Sequence, residues 1–73
     1  MDKQKELIEL GARVREARYK AGLTQAQLAH AVDKDQPSIN RLETGKINPS
    51  YIYLLEICEG LGISIEELMK SSE

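Results

Sequence analysis

Thr24-Gln-Ala-Gln-Leu-Ala-His-Ala-Val-Asp-Lys-Asp-Gln-Pro-Ser-Ile-Asn-Arg-Leu-Glu-Thr44 is the stretch that decides the fold. Thr24 and Gln27 form a capping box, in which a hydroxyl and an amide satisfy free backbone N–H groups at a helix start. The pattern predicts a helix from there to about Val32. Asp33-Lys34-Asp35 then breaks the apolar spacing. Asp35 is a good N-cap for another helix, with Pro37 in its first turn, where a missing N–H costs nothing. Ile39 and Leu42 face inward, and Gly45 closes the segment. The result is two short helices joined by a tight turn.

Upstream, Leu7, Leu10, Val14, Ala17 and Ala21 recur at spacings of three and four, the stripe of an amphipathic helix ended by Gly22. Downstream, a fourth helix starts after Asn48-Pro49-Ser50, buries Leu54, Ile57, Cys58 and Leu61, and ends at Gly60-Leu-Gly62. Ser64-Ile-Glu-Glu67 is a second capping box and opens a short fifth helix through Leu68. No strand pattern, repeat or low-complexity segment interrupts this order. The expected fold is all-α, a compact five-helix unit, and 73 residues are room for one domain spanning positions 1–73.

Composition narrows the function. The chain is 41% hydrophobic and 30% charged with two prolines, as in soluble globular proteins. Three tyrosines are its only aromatics, too few for a platform that stacks single-stranded nucleic acid or flat cofactors. No apolar run reaches membrane-span length, and Met1–Glu6 does not resemble a signal peptide. The single cysteine, Cys58, cannot form an internal disulfide, so a reducing, cytoplasmic setting is expected. His30 is the only histidine, which leaves no ligand set for zinc. His30 reads as an exposed residue of the second helix and Cys58 as a small core residue. Gly60 and Gly62 lack the third glycine and the strand of a dinucleotide fingerprint, and read as helix punctuation. No enzyme site, metal, cofactor, small-molecule ligand or membrane partner is expected.

Charge is uneven. The net charge is −2, yet residues 1–50 carry nine Lys/Arg against seven Asp/Glu, while residues 51–73 carry one lysine against five glutamates. Arg13, Arg15, Arg18 and Lys20 lie close together, opposed only by Glu16. A basic front and an acidic back suit an anionic partner, although a solvated helix face would give the same pattern.

Two short helices joined by a tight turn inside an all-helical domain are the arrangement of a helix-turn-helix, whose second helix enters the major groove of DNA. The order Gly11 to Leu23, Thr24-Gln25-Ala-Gln-Leu28-Ala29, Ile39-Asn-Arg-Leu42-Glu43-Thr-Gly45-Lys46, Asn48-Pro49-Ser50, Leu61-Gly62-Ile63 and Glu67-Leu68 resembles the lambdoid repressor and Cro (XRE-like) type of helix-turn-helix transcriptional regulator. The resemblance covers about residues 10–69. It implies a repressor-like fold and a DNA-reading third helix. Gln36, Asn40 and Arg41 match positions that touch base edges, and Gln and Asn suit adenine as Arg suits guanine. Pro37 replaces a residue that often reads bases, leaving apolar contact with a thymine methyl. Gln25 and Ser38 match phosphate-contacting positions. Thr44 and Lys46, with free N–H groups after Gly45, match a second phosphate clamp. Arg18 and Glu43 match an ion pair that positions the recognition helix rather than touching DNA. Read without the resemblance, Gln36, Asn40 and Arg41 are equally an ordinary solvated face, and Ser38 equally bonds within its own helix turn.

The sequence departs from the family pattern at the turn. Asp33 and Lys34 stand where a glycine and an apolar residue are usual. Aspartate tolerates the left-handed conformation the turn needs, but the apolar plug is missing. Asp35 would repel phosphate, or accept a hydrogen bond from cytosine, or serve only as the cap.

The resemblance implies a homodimer on a palindromic operator in double-stranded DNA, occluding or contacting RNA polymerase, as in small phage repressors and restriction-modification controller proteins. Ile52 and Leu55 lie off the inward stripe of the fourth helix, and with Ile65 and Met69 they are the expected dimer patch. The alternative is a protein-binding adapter or antitoxin-like subunit on the same scaffold, supported by the acidic net charge and Asp35.

Overall fold

A computed structural model describes residues 1–70; the last three positions of the 1–73 span lie outside the described residues. It contains α1 (Lys3–Lys20), α2 (Gln25–Ala31), α3 (Gln36–Glu43), α4 (Tyr51–Leu61) and α5 (Ile65–Met69), with no strand among the described residues. Each helix starts on an oxygen-bearing side chain that accepts from the backbone N–H three residues on: Asp2, Thr24, Asp35, Ser50 and Ser64. Both capping boxes are complete, with Gln27 and Glu67 returning bonds to the backbone of Thr24 and Ser64. Short helices that propensity alone would leave marginal are thus fixed at their first turn.

The core joins all five helices. Val14 of α1, Leu28 of α2, Ile39 and Leu42 of α3 and Ile57 of α4 are fully or almost fully buried, with Leu68 of α5 closing one end. Three expectations change in detail. Ala21 does not belong to the inward stripe: it caps α1 and is exposed. Leu54 is half-buried rather than central. Gly60 is not punctuation but a residue of α4 over which Val32 and Leu28 pack; a Cβ there would overlap the Val32 methyl. Gly62 alone is the left-handed cap, at φ 74°.

The α2–α3 turn keeps its geometry without a glycine. Asp33 takes φ 60°, the only positive value at a non-glycine among the described residues. The apolar plug is replaced by a lysine. Lys34 is largely covered, its Nζ lying 4.4 Å above the Tyr53 ring and donating to Glu56 Oε1 at 2.8 Å. Its methylene stem supplies apolar contact while its charge is met by a π face and a carboxylate, so the turn is pinned to α4.

Candidate nucleic-acid interface

α3 divides its residues cleanly. Ile39, Leu42 and Glu43 are buried, whereas Gln36, Pro37, Asn40 and Arg41 are exposed and Ser38 is half-exposed. The outward residues follow from helical periodicity, because positions 36, 37, 40 and 41 share one side when 39, 42 and 43 face the core.

Beneath that face lies a buried charge cluster. The Glu43 side chain is wholly covered. Its Oε2 accepts from Arg18 Nε at 2.6 Å, and its Oε1 accepts from Arg18 Nη2 at 2.9 Å. The remaining Arg18 amine, Nη1, donates to the Leu23 carbonyl at 2.9 Å. Burial alone would raise the Glu43 pKa; the bonds from Arg18 and Gln25 outweigh it and hold the carboxyl below its ordinary value. The same bond raises the Arg18 pKa. This ion pair ties the last residue of α3 to α1.

Glu43 Oε1 also accepts from Gln25 Nε2 at 3.0 Å and from Arg15 Nε at 3.3 Å. Gln25 Oε1 in turn accepts from Gln36 Nε2 at 2.6 Å and, more distantly, from Asn40 Nδ2 at 3.5 Å. A continuous chain of hydrogen bonds therefore runs from buried Arg18 through Glu43 and Gln25 to two of the outward side chains of α3. Gln25 is turned toward protein partners, and its amide oxygen is taken by α3.

Asp35 is exposed and accepts from the Ser38 N–H at 2.8 Å; the Ser38 hydroxyl first, and then this backbone bond, hold its carboxyl below the usual carboxylate value. Arg41 Nη2 leans on Ser38 Oγ at 3.4 Å, so Ser38 does bond within its own helix turn.

Past the end of α3, one expectation is corrected. The Gly45 and Lys46 N–H groups are not free: they donate to the Leu42 and Arg41 carbonyls, closing α3 with Gly45 at φ 74°. The Thr44 hydroxyl likewise donates to the Asn40 carbonyl at 2.8 Å. The Lys46 side chain remains exposed.

Sequence reading passed over the face of α1 that supports this region. Gln4 Nε2 donates to the Gly45 carbonyl at 3.1 Å, and Gly45 packs on the Ile8 backbone so closely that a Cβ would clash. A Cβ on Gly11 would lie 2.5 Å from the Leu42 and Glu43 carbonyl oxygens, so only glycine allows α1 this close to α3. Gln4, Ile8, Gly11, Arg15 and Arg18 are spaced alternately by four and three. That stripe is a signal in the sequence, but its mixed chemistry hides it from a search for apolar periodicity.

Elsewhere, Ile52, Leu55 and Ile65 line a shallow groove between α4 and α5, and Met69 lies one turn beyond Ile65. Ile52 is 62% exposed and Met69 48%. His30 is exposed and Cys58 buried, and burial raises the Cys58 thiol pKa. No helix among the described residues is long and apolar enough to cross a membrane.

Comparison with known proteins agrees with this geometry. Residues 14–68 match the family described as Helix-turn-helix. The control protein C.MunI of Mycoplasma is 34% identical over 67 residues, 90% of each chain. An uncharacterized HTH-type transcriptional regulator of Archaeoglobus fulgidus is 41% identical over 56 residues, 77% of this chain and 80% of its own. Among solved structures, the restriction-modification controller protein C.AhdI of Aeromonas hydrophila superposes with a TM-score of 0.90 at 32% identity, covering 94% of this chain and all of that one. With the family match spanning most of its length, the chain belongs to the XRE-like helix-turn-helix family of DNA-binding transcriptional regulators.

Proposed function

We propose that the protein acts as a homodimer on a palindromic operator, reading bases with α3 and repressing or adjusting transcription by occluding or contacting RNA polymerase at a promoter. It would act in the cytoplasm, without catalysis, and respond chiefly to its own concentration, in the manner of a restriction-modification controller. The observation that carries this reading is the outward face of α3: four exposed side chains on a helix tied to α1 by a buried ion pair, two of them, Gln36 and Asn40, joined through Gln25 to that pair.

Within this reading Gln36, Asn40 and Arg41 contact base edges, Pro37 meets a thymine methyl, and Lys46 contacts phosphate, with Gln25, Ser38 and Thr44 in supporting contacts to the backbone of DNA. Arg18 and Glu43 position the helix. Ile52, Leu55, Ile65 and Met69 form the dimer contact.

Selection of bound duplexes from a random pool tests the whole reading. A palindrome should be enriched, and its absence at low salt would favour a protein-binding adapter. On the selected site Arg41→Ala should cost about 1–3 kcal/mol and relax preference at one base pair, since a lost bidentate guanine contact depends on sequence. Lys46→Ala should weaken all sequences alike. Equal losses for Arg41→Ala on selected and random DNA would reduce Arg41 to a phosphate contact.

A further inference from the structure

The geometry points to Arg15 of α1 as a phosphate-binding residue beside Glu43 at the end of α3 and Gln25 at the start of α2, taking one phosphodiester of the duplex. This rests on the DNA-binding reading above and adds a contact to it.

Arg15, Arg18 and Glu43 share one carboxylate, so the trio carries one unneutralised positive charge. Arg18 uses both ends of its guanidinium on protein and is buried, with Nε and Nη2 on Glu43 and Nη1 on the Leu23 carbonyl. Arg15 is different. Among the described residues only its Nε is engaged, at 3.3 Å, and its side chain is 41% exposed. The uncompensated charge therefore belongs to the Arg15 guanidinium, whose two terminal amines make no hydrogen bond among the described residues while Nε anchors the plane. A guanidinium held at one edge and open at the other is prepared for bidentate binding of a phosphate.

Its location completes the case. Arg15 and Gln25 donate to the same Glu43 oxygen, and Gln25 bonds directly to Gln36 on the outward face of α3. The open guanidinium is thereby fixed beside the residues that would read bases, on the flank of the recognition helix. Gln25, whose amide bonds Glu43, Gln36 and Asn40, holds that corner together, and Arg15 adds free donors beside it.

Salt titration of duplex binding separates this contact from a purely positioning role. On random-sequence duplex, the wild-type plot of log affinity against log salt gives a reference slope. Arg15→Gln should lower that slope by about one unit, because one fewer counterion is released. The loss should be the same on the selected site as on random duplex, and Arg15→Lys should restore the slope. If Arg15 acted only through Glu43, Arg15→Gln would reduce discrimination between the selected site and random duplex and leave the slope unchanged, which would overturn the proposal. Wild-type protein that fails to bind any duplex would overturn the DNA-binding reading itself, a distinct result. A measurement on the unaltered chain guards against misfolding of the variant. Bound random duplex should protect Arg15 from an arginine-selective dicarbonyl reagent, and full reactivity of Arg15 in the complex would also overturn the proposal.

Discussion

Glu43 is the residue on which most of the interface geometry depends. Its buried carboxylate accepts four hydrogen bonds, two from Arg18 and one each from Gln25 and Arg15. A buried ion pair contributes little net stability compared with apolar packing, because desolvation offsets attraction, but removing one partner strands the other. Glu43→Ala should therefore destabilise the fold by about 3–5 kcal/mol, read as a lower midpoint in chemical unfolding. A midpoint within error of wild type would mean that the pair has no structural weight. The pH dependence has a definite sign. Glu43 has a folded-state pKa below its ordinary value of 4.5. Its contribution is complete above the unfolded value and is lost as pH falls through the folded one. Thermal melts of the wild type should drop in that acid window, and Glu43→Gln should flatten that part of the profile. An identical acid profile for both proteins would contradict the assignment.

At the scale of elements, the α2–α3 turn determines how α3 is presented, and it is built from two residues that look unsuited to it. Asp33 occupies the left-handed region at φ 60°, where an L residue costs about 1–2 kcal/mol and a short polar one less. Asp33→Gly removes that strain but adds freedom to the unfolded chain, so its stability should stay within about 1 kcal/mol of wild type. Asp33→Val should lose about 1–2 kcal/mol. Calorimetric melting of both variants checks the order, and equal stability of the valine and glycine forms would show that the turn has rearranged. The turn also marks the limit of what the sequence discloses. Helix starts were legible because Thr24, Asp35, Ser50 and Ser64 act within three residues of their own positions, and much of the core was legible because Val14, Ile39, Leu42 and Ile57 obey helical spacing. The outward face of α3 followed from the same periodicity. Lys34 over Tyr53, Gln4 on Gly45 and Arg15 on Glu43 were not legible, since each joins residues that only the tertiary fold brings together. The Lys46 amide misled for a related reason: a helix end that satisfies its own carbonyls leaves fewer donors for a ligand.

For the whole molecule, size bears on how it would meet DNA. The chain measures 33 × 24 × 20 Å, and two half-sites on one face of a duplex lie about 34 Å apart. Two copies side by side match that spacing without a long linker. A stable dimer covers about 800 Å² per partner, a large share of the 4767 Å² surface here, so one exposed side chain cannot supply it. The groove formed by Ile52, Leu55 and Ile65, extended toward Met69, offers apolar side chains edged by Glu56 and Glu59, and none of the residues that line it belongs to α3. Burying it would leave α3 free for the major groove. Leu55→Glu places a charge at the centre of that surface and should give a folded monomer in sedimentation, binding one half-site weakly and without cooperativity on the palindrome. Because Leu55 is itself half-buried, Ile52→Glu serves as the companion variant: at 62% exposure its side chain contributes little to the monomer fold, so loss of the dimer there reports on the interface alone. Dimers that persist in both variants would move the two-fold contact off α4 and onto the outer face of α5, where Met69→Glu would be the decisive substitution.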